Sequence, residues 1–571
     1  MADEESPVDF GPGSSQGGRQ FWAKSWPYLL FIILVAIYNY LFLGQGFNGT
    51  DEGYLLSLGQ RVANGDRPYL DFYFLRTPLS IYIQAGLIRV LGDSYTILAS
   101  RIYWAVEIGF LTLLLSAIYR RFASALELFL LLLTTYIILG LLLSFPWYNT
   151  DAAFFAGLAV VLLYKKLAFP AGLAIGLAFM TKQGYGLMLL LFLAISGIIH
   201  WKYREIKLLE WRTVILLCIG SATPVVIYSI YLLFNGGVGL FVKNILLLPA
   251  KSSGVGIGFT LFQNNLDAFL YSIPMIISIF IVFYAPLQRR IWVILAAGCF
   301  IAAVVMMLRL DQYYVFNFVM LNYTVAILAI IGAVRKKGGE VWGWFGVMLP
   351  AWLLAVVGQY ISGYNYAGLA SAYLGAGILI SFTFPALRFA SPGGRGKEIS
   401  IALILIILAI GAYHKHKAVY RDEKRPLLTS SFSTPKLKGI MSTERNVKQI
   451  EGMISTINQY TSKGDYVYVF PDFPALYYLT DRKNPTRVEW PFFRELNGEM
   501  IIDILDSLES KMPKIVLLQT YPEADFGRAG SKYEFYGLAK YRPFIEFFKS
   551  RYKLLKEEGD VYILTPTNGK I

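Results

Sequence analysis

Residues 26–42 read WPYLLFIILVAIYNYLF, and a few positions later the chain turns to Thr50-Asp51-Glu52-Gly53-Tyr54. The first stretch is long and apolar enough to cross the ~30 Å hydrocarbon core of a bilayer, where only a helix satisfies its own backbone hydrogen bonds. The two carboxylates that follow mark the place where the chain leaves the membrane. They open a polar loop, from about Phe47 to Thr96, that also carries Asp66, Arg67, Asp71 and Arg76-Thr77-Pro78. Acids and bases gathered at the lip of a membrane protein suggest chemistry on a molecule held at the interface.

The rest of the chain extends this reading. Of 571 residues, 56% are hydrophobic and only 16% charged, against about a quarter charged in soluble proteins. Apolar runs recur as far as Tyr413 and predict a polytopic α-helical membrane protein with about thirteen transmembrane helices. They start near Trp26, Ile97, Ala125, Asp151, Leu167, Gln183, Thr213, Ala268, Ile291, Tyr314, Val341, Tyr366 and Ile399. Basic clusters follow the even-numbered spans: Arg120-Arg121, Lys165-Lys166, Lys202 to Lys207, Arg289-Arg290, Arg335-Lys336-Lys337 and Arg395-Gly396-Lys397. The positive-inside rule places them, and the N-terminus, in the cytoplasm. The Asp51 loop and everything after Tyr413 then fall on the outer side of a plasma (inner) membrane.

The net charge of +14 fits that topology and anionic lipid rather than nucleic acid, because the basic residues form scattered clusters and no single stripe. Cys218 and Cys299 both lie in apolar runs, which leaves no disulfide framework and no cysteine metal site. Residues 1–20 are polar and Gly/Ser-rich and are expected to form a disordered tail. The first span, with no signal peptide before it, is expected to be kept as an anchor.

From 414 to 571 charges become frequent and long apolar runs stop. Tyr466 to Phe470, Ile515 to Leu518 and Val561 to Leu564 read as strands, and Asn446 to Tyr460 and Met500 to Ser510 as helices. The alternation predicts a small extracytoplasmic α/β domain. No glycine-rich phosphate loop follows any of these strands, so no nucleotide is assigned. The expected division is thus a tail over 1–20, a membrane domain over 21–413 with the outer loop 47–96, and a soluble domain over 414–571.

Several residues can carry chemistry. Asp51, just outside the hydrocarbon, can accept a proton from an attacking hydroxyl or amine; equally, Thr50 or Asp51 can cap a helix beginning at Glu52. Arg76, between aromatics, suits a lipid-linked phosphate that it grips with parallel hydrogen bonds, although ordinary snorkelling explains it too. Pro78 can open an interfacial helix through Val90. Asp151 can approach Asp51 and, paired with it, hold a divalent cation or orient an acceptor, or simply cap the fourth span. Lys182, in Met180-Thr181-Lys182-Gln183-Gly184, is available to a phosphate if it faces a cavity. Arg309 either pairs with Asp311 or offers its charge to an anion, with Tyr313 and Tyr314 donating hydroxyls. His414-Lys415-His416 reads as a solvated linker.

Together these features resemble the glycosyltransferase C (GT-C) superfamily, in the branch of protein O-mannosyltransferases and the aminoarabinose transferase of lipid A. The pattern is an Asp-Glu pair in a long first outer loop (Asp51-Glu52), a basic-Pro segment (Arg76-Thr77-Pro78, with arginine where the family has lysine), a Thr-Lys-Gln element (Thr181-Lys182-Gln183), an Arg/Tyr cluster (Arg309 to Tyr314), and a tail containing Val469-Phe470-Pro471-Asp472 and Ala475 to Thr480. The resemblance implies a GT-C fold and inverting transfer of a sugar from a polyprenyl-phosphate donor to an acceptor at the outer face. It implies Asp51 as general base, with Glu52 and Asp151 beside it. Arg76, Lys182, Arg309, Tyr313 and Tyr314 would then bind the donor phosphate, with no cofactor and no metal in the chemistry. Two other functions compete: a lipid or ion transporter or flippase, which needs titratable residues near mid-bilayer, and a polysaccharide ligase or polymerase using a diphosphate-linked donor.

Overall fold

A computed structural model of the chain describes residues 14–141, 143–202, 210–249, 277, 374–375, 377–378, 380, 396–417, 419–492, 495–519 and 532–567. The spans expected from Ala268 to Tyr366 lie outside the described residues, apart from Ile277 and a few helical positions between Leu374 and Ile380.

The membrane part is a bundle of helices. In chain order these are α1 (Ser14–Phe42), α4 (Thr96–Tyr119), α5 (Ala125–Leu139), α6 (Tyr148–Tyr164), α7 (Ala168–Thr181), α8 (Gly184–Lys202), α9 (Trp211–Phe234) and α11 (Gly396–Lys417). Ser25–Phe42, Thr96–Tyr119 and Trp211–Phe234 are long and apolar enough to cross a membrane; at about 1.5 Å per residue a helix of some 20 residues matches the hydrocarbon core. The chain is therefore read as a polytopic membrane protein. Helices α5, α6 and α7, at 15, 17 and 14 residues, are shorter, and their inward faces build one apolar core with α4. Trp104, Ile108, Leu111, Leu131, Ala152, Ala156 and Ala174 are all buried there.

The α7–α9 contact is the closest in the bundle. A Cβ on Gly172 would stand 2.3 Å from the Leu217 carbonyl oxygen, and one on Gly220 2.4 Å from that of Phe169. Small residues are what allow two backbones to approach in lipid, where no hydrophobic force drives helices together.

Two helices belong to the outer loop: α2 (Asp51–Ala63) and α3 (Leu79–Leu91), the latter starting directly after Pro78 as the sequence predicts. A short helix α10 (Val238–Val242) follows α9 and runs into a π-turn over Lys243–Leu247.

Beyond α11 come β1 (Ser430–Ser431), β2 (Met441–Ser442), α12 (Glu444–Tyr460), β3 (Val467–Phe470), α13 (Ala475–Thr480), α14 (Gly498–Lys511), β4 (Ile515–Gln519), α15 (Lys532–Arg551), β5 (Tyr552–Glu558) and β6 (Val561–Pro566). The main sheet has the order β3-β4-β6-β5, with β3 and β4 parallel and the other pairs antiparallel. Each of the predicted strands and helices is present. Strand β5 is additional; its sequence YKLLKEE lies on an edge and is mostly exposed, so it lacks the apolar alternation that marks a half-buried strand.

Two boundaries differ from expectation. Helix α1 begins at Ser14, inside the stretch read as a disordered tail. Helix α11 continues past Tyr413 to Lys417, so His414-Lys415-His416 is its last turn and no linker. His414 and Lys415 are buried; Lys415 Nζ donates to the Gly140 carbonyl and, at 2.6 Å, to Ser144 Oγ. A lysine with those acceptors needs no water.

The outer loop and the C-terminal sheet share their cores. Phe47, Leu56 and Ile97 pack with Val467, Tyr477 and Ile515, and Tyr73 and Leu75 with Phe470, Val488 and Met500. The contact is tight at the start of α2. A Cβ on Gly53 would meet the Ala475 Cβ at 2.5 Å, and Ala475 N donates to the Gly49 carbonyl at 3.1 Å.

Candidate active site

Asp51 is the first residue of α2, and neither it nor Thr50 caps the helix. Asn48 does so: its Oδ1 accepts from Thr50 N at 3.0 Å, Thr50 Oγ1 at 2.7 Å and Asp51 N at 3.1 Å. That releases the Asp51 carboxylate for other contacts. Tyr420 Oη donates to its Oδ2 at 2.9 Å, and Arg421 Nε lies 3.0 Å from the same oxygen. Among the described residues no donor is bonded to Oδ1. Burial raises the Asp51 carboxyl above the usual carboxylate range, and Arg421, Tyr420 and Asn48 pull it back. Burial holds the Tyr420 hydroxyl well above its ordinary value, so it stays a donor.

Tyr420 and Arg421 come from the segment that joins α11 to the C-terminal sheet. This segment clasps the loop at several points. Arg421 Nη1 donates to Thr50 Oγ1 at 2.5 Å, Phe47 N donates to Asp422 Oδ2 at 2.8 Å, and Arg425 Nη1 donates to Gln45 Oε1 at 2.8 Å. Arg421 has φ 55°, a left-handed conformation that costs a residue with a side chain of order 1 kcal/mol and persists only where its surroundings impose it.

Arg421 also lies 6.0 Å from the Trp490 ring. Trp490 Nε1 donates to Asp472 Oδ1 at 2.6 Å. Asp472, at the end of β3, is a second carboxylate acting on both Asp51 and Arg421.

One turn along α2, Tyr54 packs against Trp490 at 5.5 Å, Trp147 at 6.4 Å and Phe74 at 6.5 Å between ring centroids. Trp147 in turn touches Tyr148 at 4.3 Å. Beside these rings lies a cationic corner. Arg76 lies 4.5 Å from the centroid of Tyr148, and the Lys182 ammonium 5.7 Å from the same ring. Arg76 Nη2 donates to Glu495 Oε1 at 2.5 Å, and Lys182 Nζ donates to Asn149 Oδ1 at 2.7 Å. Two bonds fasten the loop to the end of α7 and so bring the two cations together: Thr77 Oγ1 donates to the Phe179 carbonyl at 2.5 Å, and Gln183 Nε2 to the Leu75 carbonyl at 3.0 Å. The charges of Asp51 and Arg76 both act on the Tyr148 hydroxyl. Beside this corner is a cavity of about 10 Å³, lined by Tyr54, Leu75, Glu489, Trp490 and Glu495 among others, close to the smallest space that holds a water.

The remaining expected residues stand elsewhere. Glu52 faces away from Asp51 into a buried bidentate pair with Arg101 of α4, at 2.7 Å through both Nε and Nη2. Arg101 also donates to the Leu43 and Gly46 carbonyls, which ties α2 to the end of α1. Asp151 neither caps α6, which starts at Tyr148, nor meets Asp51. It lies against Ser80 and Glu107, and its carboxylate oxygens find no well-formed hydrogen bond. Thr150 Oγ1 accepts from Trp147 N at 2.9 Å, so that hydroxyl, and not Asp151, closes the start of α6. Asp66, Arg67 and Asp71 serve the loop's own shape through Arg61–Asp66 at 2.7 Å and Arg67–Asp71 at 3.1 Å. Arg309, Asp311, Tyr313 and Tyr314 lie outside the described residues. Among the described residues no three His, Cys, Asp or Glu side chains converge as a metal site would require.

Sequence reading missed Tyr420, Arg421, Asp472, Trp490 and Glu495. Each lies more than 350 positions from the Asp51 loop it touches, beyond the reach of local patterns. Two signals lie in the sequence: Asp472 within the tail motif, and the aromatic-basic pair Tyr420-Arg421 directly after the last span.

No family model matches the chain, and no curated protein matches it. Among solved structures it is similar to ArnT from Cupriavidus metallidurans bound to undecaprenyl phosphate, with 13% identity over 95% of this chain and 99% of that one and a TM-score of 0.45. It is also similar to ArnT from the same organism in the apo state, with 14% identity over 96% and 98% and a TM-score of 0.40.

Proposed function

We propose that this protein is a membrane glycosyltransferase that moves a sugar from a polyprenyl-phosphate donor to an acceptor at the outer face, with inversion and with Asp51 as general base. The observation that carries the reading is the state of the Asp51 carboxylate. Oδ2 is fixed by Tyr420 and Arg421, while Oδ1 is left to accept a proton. The acceptor's oxygen or nitrogen attacks the anomeric carbon as Oδ1 takes its proton. The bond from that carbon to the phosphate oxygen breaks, and the polyprenyl phosphate leaves with the electron pair. Arg76 and Lys182, on one tyrosine ring, meet the charge that develops on the leaving group; fixed cations in a site shielded from water stabilise it strongly. The donor proposed is of the same chemical class as the undecaprenyl phosphate bound in that ArnT structure. Residues 21–413 would hold the donor tail. Residues 414–571 would stand outside the membrane and cover the site, with the N-terminus cytoplasmic.

The test is turnover by purified protein given a polyprenyl-phosphate sugar, with released polyprenyl phosphate read by mass spectrometry. Asp51→Asn should fold and release none; continued turnover in that variant rules Asp51 out as the base. A diphosphate-linked donor run in parallel separates transfer of this kind from a polysaccharide ligase.

One observation favours the transporter reading. Glu107, mid-way along α4, forms a buried acidic pair with Asp151 of α6, the kind of group a proton- or cation-coupled carrier uses within the membrane. Substrate-driven flux in liposomes, without product, is the result that selects it.

A further inference from the structure

The guanidinium of Arg76 is only half used. Nη2 donates to Glu495 Oε1 at 2.5 Å, but Nη1 is buried with no hydrogen-bond acceptor. A buried guanidinium donor without an acceptor is unfavourable, and most such groups in folded proteins find one. Glu495 reaches Arg76 from the C-terminal part of the chain, just before α14, and 27% of its side chain remains accessible. The Lys182 ammonium lies 5.7 Å from the centroid of the Tyr148 ring that Arg76 also approaches. The corner therefore brings Arg76 and Lys182 to one ring, with an acid that engages one arm of the guanidinium.

We infer that Glu495 is an internal substitute for the donor's phosphate, and that a polyprenyl monophosphate binds by displacing its carboxylate from Arg76. The inference rests on the donor reading given above. A carboxylate on one edge of the guanidinium satisfies one nitrogen. A phosphate monoester has three terminal oxygens, enough to accept from Nη1 and Nη2 together and to face Lys182 as well. The exchange gives the orphaned Nη1 an acceptor, and Glu495, already partly solvated, passes to water. Its carboxylate cannot stay beside the incoming phosphate, because like charges repel most strongly where water is excluded. With the donor absent, Glu495 supplies a counter-charge to Arg76.

Binding of farnesyl phosphate to the full-length protein in nanodiscs tests this, with farnesol as the uncharged control and thermal melting as the check on folding. Glu495→Gln keeps the shape and removes the competing charge. Its apparent Kd for farnesyl phosphate should tighten about 3- to 10-fold, since a binding-competent state that is only partly populated weakens apparent affinity in proportion. Farnesol binding should not change, and Glu495→Ala should move in the same direction. Unchanged or weaker farnesyl phosphate binding by both folded variants overturns the inference. Arg76→Gln separates this from failure of the donor reading. If Arg76→Gln loses binding while the Glu495 variants match the parent, the phosphate site stands and only the displacement is wrong. If Arg76→Gln binds as the parent does, the site itself is wrongly placed and the inference falls with it.

Discussion

Tyr420 donates a 2.9 Å hydrogen bond to Asp51 Oδ2 across 369 positions of sequence. With Arg421 on the same oxygen, the bond fixes which face of the carboxylate is open and sets how readily it gives up its proton.

The pH profile follows from that relationship. A base works only when ionised, so the rate should fall as pH drops through the Asp51 pKa. Burial raises that pKa, so the acidic limb should lie above the range of an ordinary carboxylate. The Tyr420 hydroxyl lowers it; Tyr420→Phe should therefore move the limb to higher pH while leaving the plateau rate largely intact. A limb that stays in place, or moves down, in the pH dependence of kcat would refute the role given to this bond.

Glu52 and Arg101 make a different kind of pair. Both side chains are almost wholly buried, and removing one partner of such a pair strands the other, at a cost of about 3–5 kcal/mol. Glu52→Ala should lower the melting temperature sharply and reduce the yield of folded protein. A variant that melts with the parent and merely turns over slowly would return Glu52 to the chemistry.

Lys182→Ala should reduce kcat by about 10²- to 10³-fold, the usual effect of removing one fixed stabiliser of a leaving anion, with thermal melting as the check that the fold is kept. Lys182→Arg should recover part of the loss. Single-turnover measurement of sugar release checks both, and an alanine variant within twofold of the parent would take Lys182 out of the site.

Gly53→Val tests the docking of α2 on the C-terminal sheet. The added Cβ would meet the Ala475 Cβ at 2.5 Å, and overpacking of this kind costs about 1–3 kcal/mol. Melting in detergent should show the loss, and Ala475→Gly should recover part of it. A Gly53→Val variant that melts with the parent would mean that the two surfaces do not press together there.

What the sequence disclosed depended on distance along the chain. The apolar runs placed α1, α4 and α9 because hydrophobic length is a local property. Pro78 marked the start of α3, and periodicity found α12, α14 and three strands. Asp51, Arg76 and Lys182 were legible as unusual residues in their neighbourhoods. Their partners were not. Arg101 on Glu52, Tyr420 on Asp51 and Glu495 on Arg76 are products of tertiary folding, and no local pattern assigns them. The capping alternative for Asp151 fails for the same reason: an acid at the start of a helix reads as a cap, and the Thr150 hydroxyl that serves there instead is a detail of side-chain geometry.

The clasp formed by residues 420–425 has a consequence for dissection of this enzyme candidate. In the proposed mechanism the first outer loop supplies the reactive carboxylate, and the segment after α11 supplies the hydroxyl and guanidinium that hold it ready. A fragment ending at α11 would keep every membrane helix described here and still lack the hardware that aims Asp51. The proposed competence is thus a joint property of two distant segments, and it arises only after residues 420–425 have been made and have closed over the first outer loop.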